Sequence, residues 1–296
     1  MKKHIVLLIS AVFFFSGGFV TANEKVDETL QVQSDGVVEV FNIRGKVKIK
    51  GWKNNQVTVE GTLDDLAEGL TFETKGKVTH IKVEMPDHNI NHGDGSDLTI
   101  KVPYGNQVDF EGISSDLYVM NIKAGIDVRT VSGDIGVEGV EKILNIKTVS
   151  GDIQLKKSTG KAKLATVSGD IDGVINCPEV QVSLVSGDVN LKLDEYQNFN
   201  ASVVSGNITI EGKQLDGGET KLSTVNGDID LLFTNKINTR VNVKTGPGGD
   251  ITNHLSKDKV ITEFPNTQRL SITLGDGSGS VKLGTVNGDI KIRGKN

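Results

Sequence analysis

The chain has one cysteine, Cys177, in 296 residues. No intrachain disulfide can form, so the fold must rest on a sizeable core rather than on covalent staples. Cys177 has no histidine near it in sequence and is expected to be a buried small apolar residue. Aromatic residues make up only 5%, with a single tryptophan, Trp52. Beyond Ala22 no apolar run reaches the length of a membrane-spanning helix, and the histidines are only His80, His88, His92 and His254. No serine sits in Gly-x-Ser-x-Gly, which leaves nucleophilic catalysis with little support. The glycine-rich stretches "TGPGGD" and "GDGSGS" lack a following Lys-Ser/Thr, so neither reads as a phosphate loop. A basic surplus is also missing: 33 Lys and Arg face 38 Asp and Glu. Nucleic-acid binding, which needs a positive footprint, is therefore not expected.

The segment from Met1 to Ala22 stands apart. "MKKH" is a basic start, "IVLLISAVFFF" is apolar but too short to span a membrane, and "VTA" precedes Asn23. This is the pattern of a secretory signal peptide cleaved after Ala22. Removing Lys2 and Lys3 with it leaves 31 basic against 38 acidic side chains, a net charge of −7. No cysteine lies near that position, so lipid attachment there is not expected. The remaining chain should carry no membrane span and should be periplasmic, secreted or at the cell surface.

What the chain has in abundance is a repeat. "TVSGDI" occurs at Thr130, Thr148 and Thr166, at a constant spacing of eighteen. The aspartate series Asp116, Asp134, Asp152, Asp170 and Asp188 keeps that spacing. The series continues at wider and less regular intervals through Asn207, Asp228, Asp250 and Asp289. Apolar residues alternate on both sides of each motif, as in Ile153 and Leu155 or Val180 and Val182, which marks strands with one buried face. Val, Ile, Thr and Gly dominate, and "TLDDLAEGL" (residues 62–70) is the only helix-like patch.

Such a period with two short strands per unit points to an all-β parallel β-helix, a solenoid whose units bury their apolar faces on one another. About nine or ten units stacked about 4.8 Å apart make a rod about 45 Å long. The crossover rule favours a right-handed coil. The left-handed hexapeptide helix shares the spacing of eighteen but needs a period of six, which is not seen. Residues 23–111 hold alternating runs without fixed register and read as a strand-rich N-terminal cap with the first coils. Residues 112–296 form the repeat region, continuous with that cap. The long interval before Asp289 reads as two turns of the repeat, or one turn and a loop. Lys291, Arg293 and Lys295 read as charges protecting the last edge.

Within the corner, Gly133, Gly151, Gly169, Gly187, Gly206, Gly227 and Gly288 are expected to take the left-handed backbone position. The adjoining Asp134, Asp152, Asp170, Asp188, Asn207, Asp228 and Asp289 are expected to bond local amides. The competing reading is a row of Ca²⁺ sites. However, each unit carries one Gly and one Asp at its corner, which does not fit the glycine-rich, twice as frequent motif of the Ca²⁺ roll. One carboxylate per unit is also a thin oxygen supply. Asn207 replaces Asp without breaking the repeat, which suits hydrogen bonding better than charge. "PDHNINHGDGSDL" offers His88, His92 and Asp94 as metal-site candidates, against a plain polar hairpin loop. Acids on neighbouring units leave open a polysaccharide lyase or hydrolase, whose chemistry needs facing carboxylates. Trp52 reads as a half-buried aromatic closing the cap, with sugar stacking as the other use.

The ordered set "VKIKGW", "DLTIKVPYG", the copies of "TVSGDI" and "TVNGDI", and the closing "LGTVNGDIKI" resembles a bacterial family of β-strand-repeat domains of unknown function, labelled adhesin-like. The resemblance spans roughly residues 30 to 294. It implies an exported β-solenoid associated with the cell envelope and lends no catalytic residues. The expectation is a non-enzymatic scaffold or binding protein without cofactor, taking an envelope glycan or protein ligand. A carbohydrate-active enzyme and a Ca²⁺-dependent adhesion module are the alternatives.

Overall fold

Alternating apolar residues leave each strand one face to bury, and the chain buries them by coiling. In the computed structural model, residues 24–87, 93–264 and 266–294 are described, and they contain strands and turns but no helix. Successive coils pair in parallel and in register. Ile153 lies beside Ile171, Ile171 beside Val189 and Val189 beside Ile208. The strands that precede the corners do the same, Leu164 lying beside Val182 and Val182 beside Ala201. Fully buried columns such as Ile135, Ile153, Ile171, Val189 and Ile208 therefore run the length of a β-solenoid.

Each coil has a sharp corner and a softer bend. At the bend the strand Ile153–Ser168 stays continuous but shifts register between Lys156 and Ser158 and between Thr159 and Lys161. The bend is thus a pair of β-bulges, which kink a strand without ending it. Buried side chains fill its inner side. Ser158 Oγ accepts from Val140 N (3.3 Å), and the fully buried Cys177 approaches the Ser158 carbonyl (Sγ···O 3.7 Å). Burial pushes the Cys177 thiol up to about 12, so it sits there as a neutral packing group.

The two ends depart from sequence order. Val37–Trp52 lies inside the stack, with Gln107–Met120 on one side and Val78–Glu84 and Ser96–Pro103 on the other. Gly279–Asn287 lies between the Ile208–Asn226 and Thr239–Lys244 strands. Ile290–Gly294 likewise lies between Ile229–Phe233 and Ile251–His254. The final coil is thus inserted beneath the one that precedes it in sequence. This corrects the expectation that Lys291 and Arg293 guard an outer edge: both backbone sides of that strand are paired, and Arg293 Nη2 forks onto Asp230 at 2.7 and 2.8 Å. Lys295 lies outside the described residues. The coils end instead against antiparallel strands, Thr267–Leu274 on Thr239–Lys244 and Gly69–Lys75 on Val78–Glu84. A reversed strand interrupts the parallel register that another copy would otherwise extend.

The helix-like patch at residues 62–70 is a turn between strands. Asp64 explains why: its buried carboxylate pairs in a fork with Arg44 and also accepts from Leu66 N (2.8 Å) and Gly95 N (3.1 Å). The carboxylate therefore ties this turn, the Gly95 turn and the first inserted coil together. The Arg44 guanidinium, with the Leu66 amide, holds the Asp64 carboxyl down at about 2.

A carboxyl lowered on folding stabilises the protein above its unfolded value, about 3.9, and loses that contribution as pH falls towards 2. Asp64→Asn is expected to lose about 2–3 kcal/mol at pH 6, because it takes the carboxylate fork away from a part-buried guanidinium. The gap from the unmodified protein should narrow between pH 4 and pH 2 in urea unfolding. A gap that does not change with pH would contradict this role.

Candidate functional site

The recurrent corner is where the sequence placed its candidate residues. Gly133, Gly151, Gly169, Gly187, Gly206, Gly227 and Gly288 all have φ between 120° and 153°. A side chain there is excluded twice over. A Cβ on Gly169 would lie 2.3 Å from the Gly151 carbonyl oxygen, and one on Gly206 would lie 1.9 Å from that of Gly187. Each corner therefore rests directly on the backbone of the one before.

The adjoining carboxylates join the corners. Asp116 Oδ1 accepts the Asp134 amide (3.1 Å), Asp134 that of Asp152 (3.0 Å) and Asp152 that of Asp170 (2.8 Å). Asp170 takes the Asp188 amide (2.8 Å), Asp188 that of Asn207 (2.7 Å), and Asn207 Oδ1 that of Asp228 (2.9 Å). The ladder then skips sequence order: Asp228 accepts from Asp289 (2.7 Å), and Asp289 from Asp250 (2.8 Å). Gln268 terminates it, donating to Asp250 Oδ1 (2.6 Å) while accepting from Ile251 N (2.8 Å). The buried threonines of the motif complete the corner, Thr148 Oγ1 donating to the Ser150 carbonyl (3.2 Å) and Thr166 Oγ1 to that of Ser168 (3.2 Å).

Among the described residues, no three His, Cys, Asp or Glu side chains come close enough together to hold a metal ion. His88 and His92 lie outside the described residues. Asp94 donates its amide to Asp65 Oδ1 (3.2 Å). Trp52 is half-buried near the first coils, and its Nε1 donates to the Gln56 carbonyl (2.7 Å).

A concave surface lies elsewhere, on the strands that precede the corners. It is an open groove of about 860 Å³ running across several coils. Asn145, Lys163, Gln181, Asn200 and Lys221 line it in successive coils, with Asn198 alongside. Two of its carboxylates are engaged: Asp127 accepts from Asn145 Nδ2 (2.7 Å), and Glu179 pairs with Lys161 (2.8 Å). These lining residues were missed in the sequence reading. Their only signal is a shared place in the repeat, two positions before Lys147, Ala165, Ser183, Ser202 and Ser223.

Beyond the groove, towards the N-terminal coils, Asp109 stands in register between Glu39 and Asp127 in a row of acids. Burial, with Asp127 and Glu39 nearby, raises the Asp109 carboxyl above its ordinary range, against a bond from Gln107 Nε2 (2.7 Å). His80 Nδ1 lies 2.9 Å from Glu39 Oε2 in the same cleft.

In-register coils with an open, side-chain-lined face define a β-solenoid of surface-presenting type. The chain belongs to the family described as Toastrack DUF4097, which matches residues 18–195 and 173–293. Among solved structures it is similar to a candidate adhesin from Bacteroides fragilis, at 13% identity over 93% of this chain and 100% of that one, with a TM-score of 0.45. A candidate adhesin from Parabacteroides distasonis matches at 13% identity over 93% and 98%, with a TM-score of 0.42. A candidate lipid-binding protein from the same species matches at 13% identity over 92% and 97%, with a TM-score of 0.40. No curated protein matches the chain.

The Asn207 rung predicts how other rungs respond. Asp152→Asn keeps an acceptor and should leave thermal stability nearly unchanged. Asp152→Ala removes it and should cost about 1 kcal/mol. Chelation with EDTA should move neither melting curve, and a shared loss of stability on chelation would restore the Ca²⁺ reading.

Proposed function

We propose that the chain is a non-enzymatic, exported, adhesin-like protein of the bacterial cell envelope, built as a right-handed parallel β-helix. The handedness rests on the crossover rule for parallel strands. Export rests on the signal pattern ending at Ala22, with release to the periplasm or beyond. In this reading the repeat region is one continuous domain with its N-terminal cap. The corner residues are structural, spacing the coils so that their outer faces form a continuous surface.

The groove on the leading strands is the binding surface, and a glycan is the ligand it suits best. The observation that carries this is its column of side-chain amides, Asn145, Gln181 and Asn200, interleaved with Lys163 and Lys221 at one residue per coil. An amide both donates and accepts, which matches a hydroxyl that does the same. Strands repeat about every 4.8 Å along the axis, so the groove offers such groups at regular intervals to an extended chain of sugars.

The competing reading is a carbohydrate-active enzyme, and one observation favours it. Asp109, with its carboxyl raised, shares a sheet face with Glu39 and Asp127, the kind of acid pairing that glycoside cleavage uses.

A panel of envelope polysaccharides tests both. Retention without shortening of the polymer is expected, weakened about thirtyfold by the double variant Gln181→Ala, Asn200→Ala if each lost amide bond contributes about 1 kcal/mol. Reproducible depolymerisation, lost in Asp109→Asn, would overturn the binding reading in favour of the enzyme.

A further inference from the structure

The strands that follow the corners carry a second cluster, at the N-terminal end of the solenoid and away from the groove. Three of the chain's four Trp and Tyr residues gather there: Trp52, Tyr104 and Tyr118. Each has a lysine ammonium over its ring. Lys48 Nζ lies 5.9 Å from the Tyr118 centroid, Lys101 Nζ 5.8 Å from Trp52 and Lys123 Nζ 5.3 Å from Tyr104.

The Tyr118 ring lies against the sheet, because a glycine makes room for it. Tyr118 pairs laterally with Gly136 in the next coil, and a Cβ on Gly136 would sit 2.5 Å from Tyr118 Cδ2. The Tyr118 hydroxyl donates to Glu138 Oε2 (2.9 Å), pinning the ring in that pose and leaving it only part-buried. Tyr104 lies beside Gly51, where a Cβ would meet the Asn121 carbonyl oxygen at 1.9 Å and Tyr104 Cδ1 at 2.9 Å, and Tyr104 is 37% exposed.

The lysines are the second, independent part. Lys48 and Lys50 project side by side from the inserted strand Val37–Trp52, in register with Tyr118 and Met120. Among the described residues neither they nor Lys123 form an ion pair, whereas Lys101 is held by Glu60 (2.7 Å). Further along the same face some of the charges are paired, as in Lys192 with Glu211 (3.3 Å) and Arg293 with Asp230 (2.7 Å). Lys48, Lys50 and Lys123 thus bring three positive charges without an acidic partner beside two part-exposed tyrosine rings.

We propose that this patch binds an anionic polysaccharide. Sugar rings stack their C–H faces on Tyr118 and Tyr104, and Lys48, Lys50 and Lys123 meet the carboxylate, sulfate or phosphate groups between them. A bilayer would call for protruding apolar side chains, whereas these rings lie flush with the sheet. A polyanion without stacking would make no use of the ring held over Gly136. The patch is separate from the amide-lined groove, and either site can fail without the other.

The test is affinity electrophoresis of the full chain in gels containing polygalacturonate, with neutral dextran as control. Retardation by polygalacturonate alone is expected, weakening as salt rises. Lys48→Gln with Lys50→Gln, and separately Tyr118→Ala, should each weaken it about tenfold with an unchanged circular-dichroism spectrum, while Tyr118→Phe should retain it. The groove variant Gln181→Ala, Asn200→Ala should bind polygalacturonate as the unmodified chain does. The proposal is overturned by no retardation, by equal retardation in dextran, or by loss only in the groove variant. Equal binding of single-stranded DNA or of phosphatidylglycerol vesicles would overturn it too, marking a general polyanion or membrane surface.

Discussion

The structure depends on one close approach. At every corner the backbone of one coil sits where a side chain on the next coil's glycine would have to be. A Cβ on Gly151 would meet a carbonyl oxygen at 2.1 Å, and one on Gly169 at 2.3 Å. That contact sets the stacking. Carboxylates brought to this spacing would repel by about 1 kcal/mol per pair in water. Here each offsets the repulsion by accepting the next coil's amide, so the group that threatens the stack also joins it. Neutral Asn207 does the same work in the middle of the ladder. With the corners in register, the strands on both sides have no freedom to slip, and a slip by one residue would turn every buried Ile and Val outward.

The remaining features manage what the corner contact leaves open. A regular stack has two raw edges, and both ends of this chain are drawn in by one coil before antiparallel strands close over them. Gln268 ends the amide ladder by giving Asp250 a donor where no further coil follows. Arg44 and Asp64 tie the N-terminal turns to the first inserted coil. Because the coils repeat, any outward position becomes a column, and the groove is one such column, while the aromatic patch gathers residues from different positions of the first coils.

The repeat made the stack legible in the sequence, since glycine at the corner and alternation beside it have few other physical explanations. The order of the last coils was hidden because Asp250 and Asp289 carry equivalent corners, and spacing alone does not say which lies against Asp228. The strand Thr267–Leu274 decides it, by pairing backwards on Thr239–Lys244 and leaving the other side of that strand for the final coil. The turn at Asp64 read as helical because its partner, Arg44, lies on a different strand, well outside that patch. The groove was illegible for a different reason: Asn145, Lys163, Gln181 and Asn200 share a place but not an identity, so no motif marks them. Nothing in the sequence around Gly136 marks it, and only the lateral register brings it under Tyr118.

Hydrogen exchange followed by NMR at the corner amides addresses the central claim directly. The amides of Asp134, Asp152, Asp170, Asp188, Asn207 and Asp228 lie in surface turns, yet each donates to the side chain of the coil before it. They are expected to exchange as slowly as the strand amides of Ile153 and Ile171. Exchange at the rate of unprotected loops would mean that the ladder does not hold the coils, and the account would fail with it.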